Sequence, residues 1–141
     1  MVQEGTDRTL TICSWVFVAV AAIVAIQGAL DGLPRHGVDV SWPSHARFHV
    51  TYATFSRIGF CVMTATVALI PFRRSERWSW WVLAGFFVFG NLSLIPATLW
   101  QGSGPQSHFL VPIFIAYASV FGALVASRRV GLQSTAGKQS K

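Results

Sequence analysis

The sequence predicts an all-α fold, namely an integral membrane bundle of four helices with both termini on the cytoplasmic side. Of the 141 residues, 52% are hydrophobic and 11% are charged, whereas soluble domains carry about 25% charged residues. The apolar residues form four blocks, each close to the roughly 20 residues that an α-helix needs to cross a bilayer. We expect one domain of four transmembrane helices over residues 9–128, between a polar segment at 1–8 and a basic, disordered tail at 129–141.

The first helix is predicted at about 9–30, in a run rich in Ala and Val. It is expected to end at "QGALDGLP", where Gly32 and Pro34 are stop signals. The run is too long for the apolar region of a cleaved signal peptide, which is the alternative interpretation. The second helix, predicted at about 45–72, follows a long loop, and Ser44 is suited to cap its first turn.

The third helix is predicted at about 78–100 and the fourth at about 108–128. The short connection "RRSERWSWW" predicts that the second and third helices are antiparallel neighbours, with its tryptophans at the inner membrane interface. Pro96 interrupts the third helix near its outer end. Glycines are expected to permit close contact between helices at Gly85, Gly90 and Gly122.

The net charge of +6 follows the predicted topology and does not indicate a nucleic-acid partner. Eight of the eleven basic residues flank the same predicted membrane face: Arg8, Arg73, Arg74, Arg77, Arg128, Arg129, Lys138 and Lys141. An excess of Lys and Arg marks the cytoplasmic side of a membrane protein. We therefore expect a multi-pass protein of the inner (plasma) membrane with both termini and the connection at 73–77 inside.

Polar residues collect in the outer halves of the four predicted spans. Each span contributes one strong polar group: Gln27, Arg57, Asn91 and Tyr117. A charge at the bilayer centre costs about 2.5–3.5 kcal/mol on insertion scales, so Arg57 is expected to face inward. The spans contain no acidic residue that would neutralise it. This set predicts an electropositive pocket that opens toward the outer membrane face.

Histidines surround the expected mouth of this pocket. His45 and His49 share one helical face at the start of the second span, and His108 lies at the start of the fourth. One stripe of the second helix is expected to point into the bundle: His45, His49, Tyr52, Ser56 and Met63. In the alternative, structural interpretation, Arg57 extends to the outer interface, and Asn91 and Gln27 only join helices through hydrogen bonds.

Three functions are compatible with these residues. The first is binding, with or without isomerase- or cyclase-like conversion, of a small hydrophobic lipid, isoprenoid or quinone-like molecule. In this hypothesis His45, His49 and Arg57 are catalytic, because imidazoles move protons near neutral pH and a guanidinium stabilises negative charge. The remaining polar residues would bind the ligand: Gln27, Tyr52, Asn91, His108 and Tyr117.

The second function is that of a redox subunit, in which His49 and His108 bind haem, or in which His45, His49 and His108 bind Zn or Cu with Asp31 or Asp39 as the fourth ligand. The third is that of a non-enzymatic accessory subunit in a larger membrane complex. We assign neither a cofactor nor a metal from the sequence. The expected partner is a membrane lipid or another hydrophobic small molecule, and a homo-oligomer is compatible with the pattern.

"HARFH" at 45–49 opens the second helix, and "RRSERWSWW" at 73–81 joins the second to the third. With this layout, the chain resembles small bacterial four-helix membrane proteins of the DoxX-like kind over about residues 10–127. The resemblance implies a compact four-helix membrane bundle and little about activity. The helix count is also similar to that of the sterol-isomerase class. This chain lacks the membrane-embedded acids of that class, so no catalytic residue is transferred from it.

Overall fold

The computed structural model describes residues 2–92 and 107–128 of the chain. Within these ranges it is helical, without a strand, and the prediction of an all-α chain with four helices is confirmed. The elements are α1 (Val2–Gln27) with a π-helical continuation π1 (Gly28–Gly37), α2 (Ser44–Val67) with a π-helical continuation π2 (Ala68–Phe72), α3 (Arg77–Leu92) and α4 (Ser107–Ala126). The predicted end of the third helix with Pro96, and the tail at 129–141, lie outside the described residues.

The first helix is longer at both ends than the sequence predicts. It begins at Val2, within the segment expected to precede it, because Gly5 is the only weak helix former there and a single Gly costs about 1 kcal/mol. At the other end, Gly32 and Pro34 do not stop the helix, which continues in π-helical geometry to Gly37. The wider π turn accommodates a proline, which lacks an N–H and clashes with the carbonyl one turn earlier.

The turn between α2 and α3 is a helix-capping motif. The N–H of Glu76 donates to the carbonyl of Pro71 at 3.0 Å, and the N–H of Ser75 donates to the carbonyl of Phe72 at 3.0 Å. This pair of bonds defines a Schellman motif, whose reversing residue adopts left-handed backbone angles. Here that residue is Ser75, with φ of 61°. The tight turn makes α2 and α3 antiparallel neighbours.

The four helices form a square bundle. Along its sides, α1 and α3 each pack against both α2 and α4. Across the diagonals, no contact joins α1 to α3 or α2 to α4 within residues 2–92 and 107–128. We call the end with the turn at 73–76 the turn end, and the end with the connection at 38–43 the loop end. Successive helices run in opposite directions between them.

The tightly packed core lies at the turn end. It joins the first half of α1, the π2 segment, the start of α3 and the last half of α4. Its buried residues are Leu10, Cys13, Phe17, Ala68, Phe72, Leu83, Val120, Ala123 and Leu124. The rings of Phe17 and Phe72 meet edge to face, with centroids 5.7 Å apart. In α2, Thr54 and Cys61 are the buried residues. Among the described residues, the packed core therefore lies at the turn end of the bundle.

Small polar side chains are buried, and large apolar side chains cover the surface. Ser14, Ser79 and Ser127 are fully buried. The hydroxyls of Ser14 and Ser127 donate to backbone carbonyls one turn earlier, at 2.7 and 2.6 Å. By contrast, Phe89 and Phe114 are almost three-quarters exposed. This arrangement is typical of membrane helices, in which small residues let helices approach and large apolar residues face lipid.

Two helical stretches are long and apolar enough to cross a membrane. They are Arg8–Asp31 and Ser44–Phe72. Of the most apolar window of each stretch, 28% and 17%, respectively, is buried inside the bundle. The core helix of a soluble protein would be mostly buried, so neither stretch fits that explanation. A shorter apolar stretch, Ile113–Ala126, lies in α4.

Candidate functional site

Helix α2 presents two chemically different faces. The face that packs into the bundle contains Thr54, Cys61 and Ala68, which are 6%, 8% and 0% exposed. The stripe that the sequence analysis expects to point inward is instead exposed along its whole length: His45, His49, Tyr52, Ser56 and Met63. Tyr52 is 65% and Met63 is 53% exposed. The expected orientation of this stripe is therefore wrong.

The physical reason is the size of the side chains on the two faces. Thr54, Cys61 and Ala68 recur every seven residues, so they stay on one side of the helix, and their small volumes let neighbouring backbones come close. Tyr52 and Met63 are large and mostly apolar, which suits a surface in contact with lipid tails. The hydroxyl of Thr54 donates to the carbonyl of Val50 at 2.9 Å, so the buried face carries no unpaired hydroxyl there.

Arg57 lies on the side of α2 that packs against the end of α1, and its side chain is exposed. It follows Thr54 by three residues and precedes Cys61 by four, and these spacings place all three on one side of a helix. Its side chain extends across Gly28, the buried first residue of π1. A methyl group built on Gly28 would lie 3.5 Å from Cδ and 3.9 Å from Nη1 of Arg57. The absence of a side chain at Gly28 therefore leaves room for the arginine between α2 and the end of α1.

Cys61 lies one turn deeper than Arg57 on the same side of α2, and Tyr117 lies on α4, diagonally across the bundle. The Arg57 side chain is exposed. Arg57 makes no hydrogen bond or ion pair with any side chain that the structure describes.

Tyr117 belongs to the inward stripe of α4 and is half-buried. It lies one turn before Val120, a buried residue of the core. Its ring meets Phe87 of α3 edge to face, with centroids 6.0 Å apart. Tyr117 therefore forms the boundary between the packed core at the turn end and the open interior around Arg57. Its hydroxyl is suited to bind an oxygen-bearing group held by the guanidinium.

A second arginine, Arg47, to which the sequence analysis assigns no role, also faces inward. Arg47 is half-buried, and its Nε atom is fully buried without a hydrogen-bond partner in the described part of the chain. It precedes Thr54 by seven residues, two helical turns, and so shares its face. The inward side of α2 thus carries two guanidinium groups, about 15 Å apart along the helix. Arg47, Thr54 and Cys61 follow one another at intervals of seven residues. This spacing is the signal in the sequence that places Arg47 on the same face as the other two residues.

His45 and His49 form a pair on the outward face. Their Nε2 atoms lie 2.9 Å apart in a hydrogen bond, and their rings are edge to face. Phe48 packs against His49 and stacks on Tyr52, so the pair borders an exposed aromatic patch. Two converging imidazole nitrogens can share a proton or bind a metal ion. Within residues 2–92 and 107–128, no group of three or more metal-binding side chains accompanies them.

Three further predicted site residues lie on different helices. Gln27 ends α1 directly before Gly28, and its side chain is exposed. Asn91 lies in the last turn of α3 and His108 in the first turn of α4, so their backbones are at the loop end. Their side chains lie outside what the structure describes. The fold therefore brings Arg57 against the start of π1, directly after Gln27, and places His45, His49 and Tyr52 on the opposite face of α2.

Comparison of the chain with protein-family models, with curated proteins and with solved structures finds no match.

Proposed function

We propose that this protein is a multi-pass membrane protein that binds a small amphipathic molecule in the loop-end half of its bundle. The ligand carries an anionic or oxygen-bearing head, as a fatty acid, an isoprenoid or a quinone-like molecule does. The head lies at Arg57, between α2, the end of α1 and Tyr117. We place the protein in the inner (plasma) membrane with both termini in the cytoplasm, because most of its basic residues flank the turn end of the bundle.

The distribution of side-chain size supports a membrane location. The stretch Ser44–Phe72 is distant from the N-terminus and mostly unburied, so neither a signal sequence nor the core of a soluble protein accounts for its apolar character. Phe48, Phe55 and Phe89 are each more than half exposed. Water-exposed apolar surface of this extent is unfavourable, whereas the same surface costs nothing against lipid tails.

The observation that carries the binding proposal is the position of Arg57. Its side chain lies on the same side of α2 as Thr54 and Cys61 and packs beside Gly28 of π1. A guanidinium at membrane depth is costly when it lacks a partner, and such residues usually mark a ligand or an ion path. An anionic head group would supply the missing charge and accept hydrogen bonds from the guanidinium.

The separation of the histidines from Arg57 favours binding without conversion. His45 and His49 lie on the outward face of α2, and His49 is about 12 Å along the helix from Arg57. An acid or base must come within hydrogen-bond reach of the proton that it transfers. A ligand held at Arg57 inside the bundle is therefore out of reach of both imidazoles. We do not include acid–base catalysis by the pair in the proposed function.

Substitution of Arg57 tests this proposal. Wild type and the Arg57→Gln and Arg57→Lys variants would be purified in mild detergent, and bound molecules would be extracted and identified by mass spectrometry. Palmitate, farnesol and a short-chain ubiquinone would then be titrated as probes. Loss of a hydrogen bond to a charged group costs about 1.5–3 kcal/mol, so Arg57→Gln is expected to weaken binding of palmitate roughly 10- to 100-fold. Arg57→Lys should retain part of the affinity, because it keeps the charge.

His49→Ala is the matched control, since it removes a polar side chain from the opposite face of the same helix. It is expected to leave the bound molecules and the probe affinities unchanged. The proposal is contradicted if Arg57→Gln carries the same molecules as wild type with the same affinities. If His49→Ala alone changes them, the site lies on the outward face instead.

A further inference from the structure

A second surface, between α3 and α4, is also concave and apolar. It is an open apolar groove of about 280 Å³ between α3 and α4, in the turn-end half of the bundle. Trp80, Ala84 and Val88 of α3 form one wall. Phe121 and Val125 of α4 form the other, and Arg128 lies at the end of the groove. We call it the α3–α4 groove.

The floor of the α3–α4 groove is closed by a hydrogen bond between the two helices. The indole N–H of Trp80 donates to the backbone carbonyl of Leu124 at 3.1 Å. This bond satisfies the only polar atom that the Trp80 side chain has. The walls therefore offer only apolar contacts, so a hydrocarbon chain can occupy the groove without leaving a polar group unpaired. The stretch from Trp80 to Val88 extends about 12 Å along the helix, so the groove is elongated rather than round.

Positive charge is concentrated where the α3–α4 groove ends. Arg128 follows the last turn of α4, and Arg77 opens α3 at the same end of the bundle. Both are exposed, as are Arg73 and Arg74 of the neighbouring turn. The acidic side chain of this turn, Glu76, accepts a hydrogen bond from the indole N–H of Trp78 at 2.6 Å. The groove thus leads from an apolar channel to a basic surface.

We propose that the α3–α4 groove binds one acyl chain of an anionic phospholipid, whose phosphate pairs with Arg128. Exposed Trp78 and Trp81 flank the site, and tryptophans of this kind lie at the headgroup level of a bilayer. The phosphate would therefore meet Arg128 at the depth where lipid phosphates occur. This site goes beyond the ligand at Arg57, and it rests on the membrane location that is part of the proposed function.

The test compares lipid binding by wild type and two variants. Purified protein would be titrated in detergent with palmitoyl-oleoyl phosphatidylglycerol or the corresponding phosphatidylcholine, and bound lipids would be counted by native mass spectrometry. Wild type is expected to prefer phosphatidylglycerol. One basic residue near an anionic lipid surface contributes a factor of about five, so Arg128→Gln should lower phosphatidylglycerol affinity by about that factor. Val88→Trp fills the groove from an exposed position and should weaken binding of both lipids.

Arg74→Gln is the matched control, because it removes the same charge at the same end of the bundle but does not line the groove. Its affinity should stay within about twofold of wild type, since an exposed charge off the site is screened. Thermal unfolding of each variant would confirm that it folds. Equal losses in Arg128→Gln and Arg74→Gln would show a diffuse basic surface and overturn the proposal.

Two further outcomes separate this site from its alternatives. If Val88→Trp dissociates a dimer, a second copy of the chain occupies the groove, and the lipid proposal fails. If Arg57→Gln lowers the affinity for phosphatidylglycerol and Arg128→Gln does not, the lipid lies at the Arg57 site instead. Conversely, binding that depends on Arg128 in a protein whose Arg57→Gln variant behaves as wild type supports this site while rejecting the proposed ligand at Arg57.

Discussion

Arg57 shows how a single missing side chain positions a charge. The Cδ and Nη1 atoms of Arg57 occupy the space that the side chain of a residue larger than glycine would need at position 28. An alanine there would make ordinary contact at 3.5 Å, whereas a branched side chain would extend into the arginine. Gly28 is buried by this arrangement. The role of Gly28 is therefore to leave space for the guanidinium, and this role does not depend on backbone flexibility.

Ser75 offers a residue-scale prediction about stability. Its φ of 61° is left-handed, a conformation that costs an L-residue roughly 1–2 kcal/mol and a glycine almost nothing. Replacement Ser75→Gly relieves this cost but increases the entropy of the unfolded chain. The expected net result is a gain of about 0.5–1 kcal/mol in the free energy of unfolding, measured by thermal unfolding in detergent.

The control for this prediction is the same substitution at a helical position. Ser56 is exposed in the middle of α2, where glycine is a poor helix former. Ser56→Gly is expected to lower stability by about 0.5 kcal/mol. If Ser75→Gly also lowers stability, the left-handed conformation of Ser75 does not reduce the free energy of unfolding of the wild type.

At the scale of elements, the π1 segment is held against α2 by a close contact. A methyl group built on Gly37 would lie 3.0 Å from Oγ1 of Thr51 and 3.4 Å from Cδ2 of Leu33. Thr51 is β-branched, so it cannot turn away easily within a helix. We expect Gly37→Ala to destabilise the fold by about 1–2 kcal/mol through this crowding, as measured by the shift of the thermal midpoint.

Gly59 provides the opposite case within α2. A methyl group built there meets nothing within 4 Å, and alanine is the better helix former by about 0.5–1 kcal/mol. Gly59→Ala should therefore raise the thermal midpoint. A decrease for both glycine substitutions would contradict the contact between π1 and α2. The same geometry corrects the sequence analysis, because Gly85 and Gly122 also face open space and do not mediate helix contacts.

At the scale of the whole molecule, the packed core of the described residues lies at one end of the bundle. The core from Leu10 to Leu124 is at the turn end, where Phe72 is fully buried. Near the middle of α2, the structure has instead a small buried side chain, Thr54, and the exposed Arg57. The candidate site around Arg57 therefore lies outside the packed core.

The proposed topology predicts which ends are accessible from outside the cell. Val40 is 84% exposed in the connection at the loop end, and Ser75 is exposed in the turn between α2 and α3. In cells expressing the full chain, a membrane-impermeant maleimide should label Val40→Cys directly. It should label Ser75→Cys only after permeabilisation, because Arg73, Arg74 and Arg77 retain that turn in the cytoplasm.

The native cysteines serve as an internal control for this experiment. Cys13 and Cys61 are buried and unpaired, so the wild-type chain should react little before or after permeabilisation. Direct labelling at Ser75→Cys and protected labelling at Val40→Cys would reverse the proposed orientation. Labelling of both positions in intact membranes would mean that the helices do not cross the bilayer.

The sequence was sufficient to determine the elements but not their orientation. Apolar run length predicts four helices because any buried or lipid-facing helix needs such a run, and the short segment from Arg73 to Glu76 is long enough only for a tight turn. The sequence also predicts that Arg57 faces inward, since a charge at that depth needs polar partners, and the structure places its exposed side chain beside Gly28. The outward position of His45 and His49 was not predictable from the sequence.

The sequence by itself thus determined an all-helical chain, its antiparallel order and the basic character of one end. Only the tertiary structure decided which face of α2 lies inside. The physical reason is that protein interior and lipid are both apolar, so hydropathy does not distinguish the two sides of a membrane helix. The size of Thr54, Cys61 and Ala68, and the room beside Gly28, become meaningful only when a neighbouring helix is in place against them.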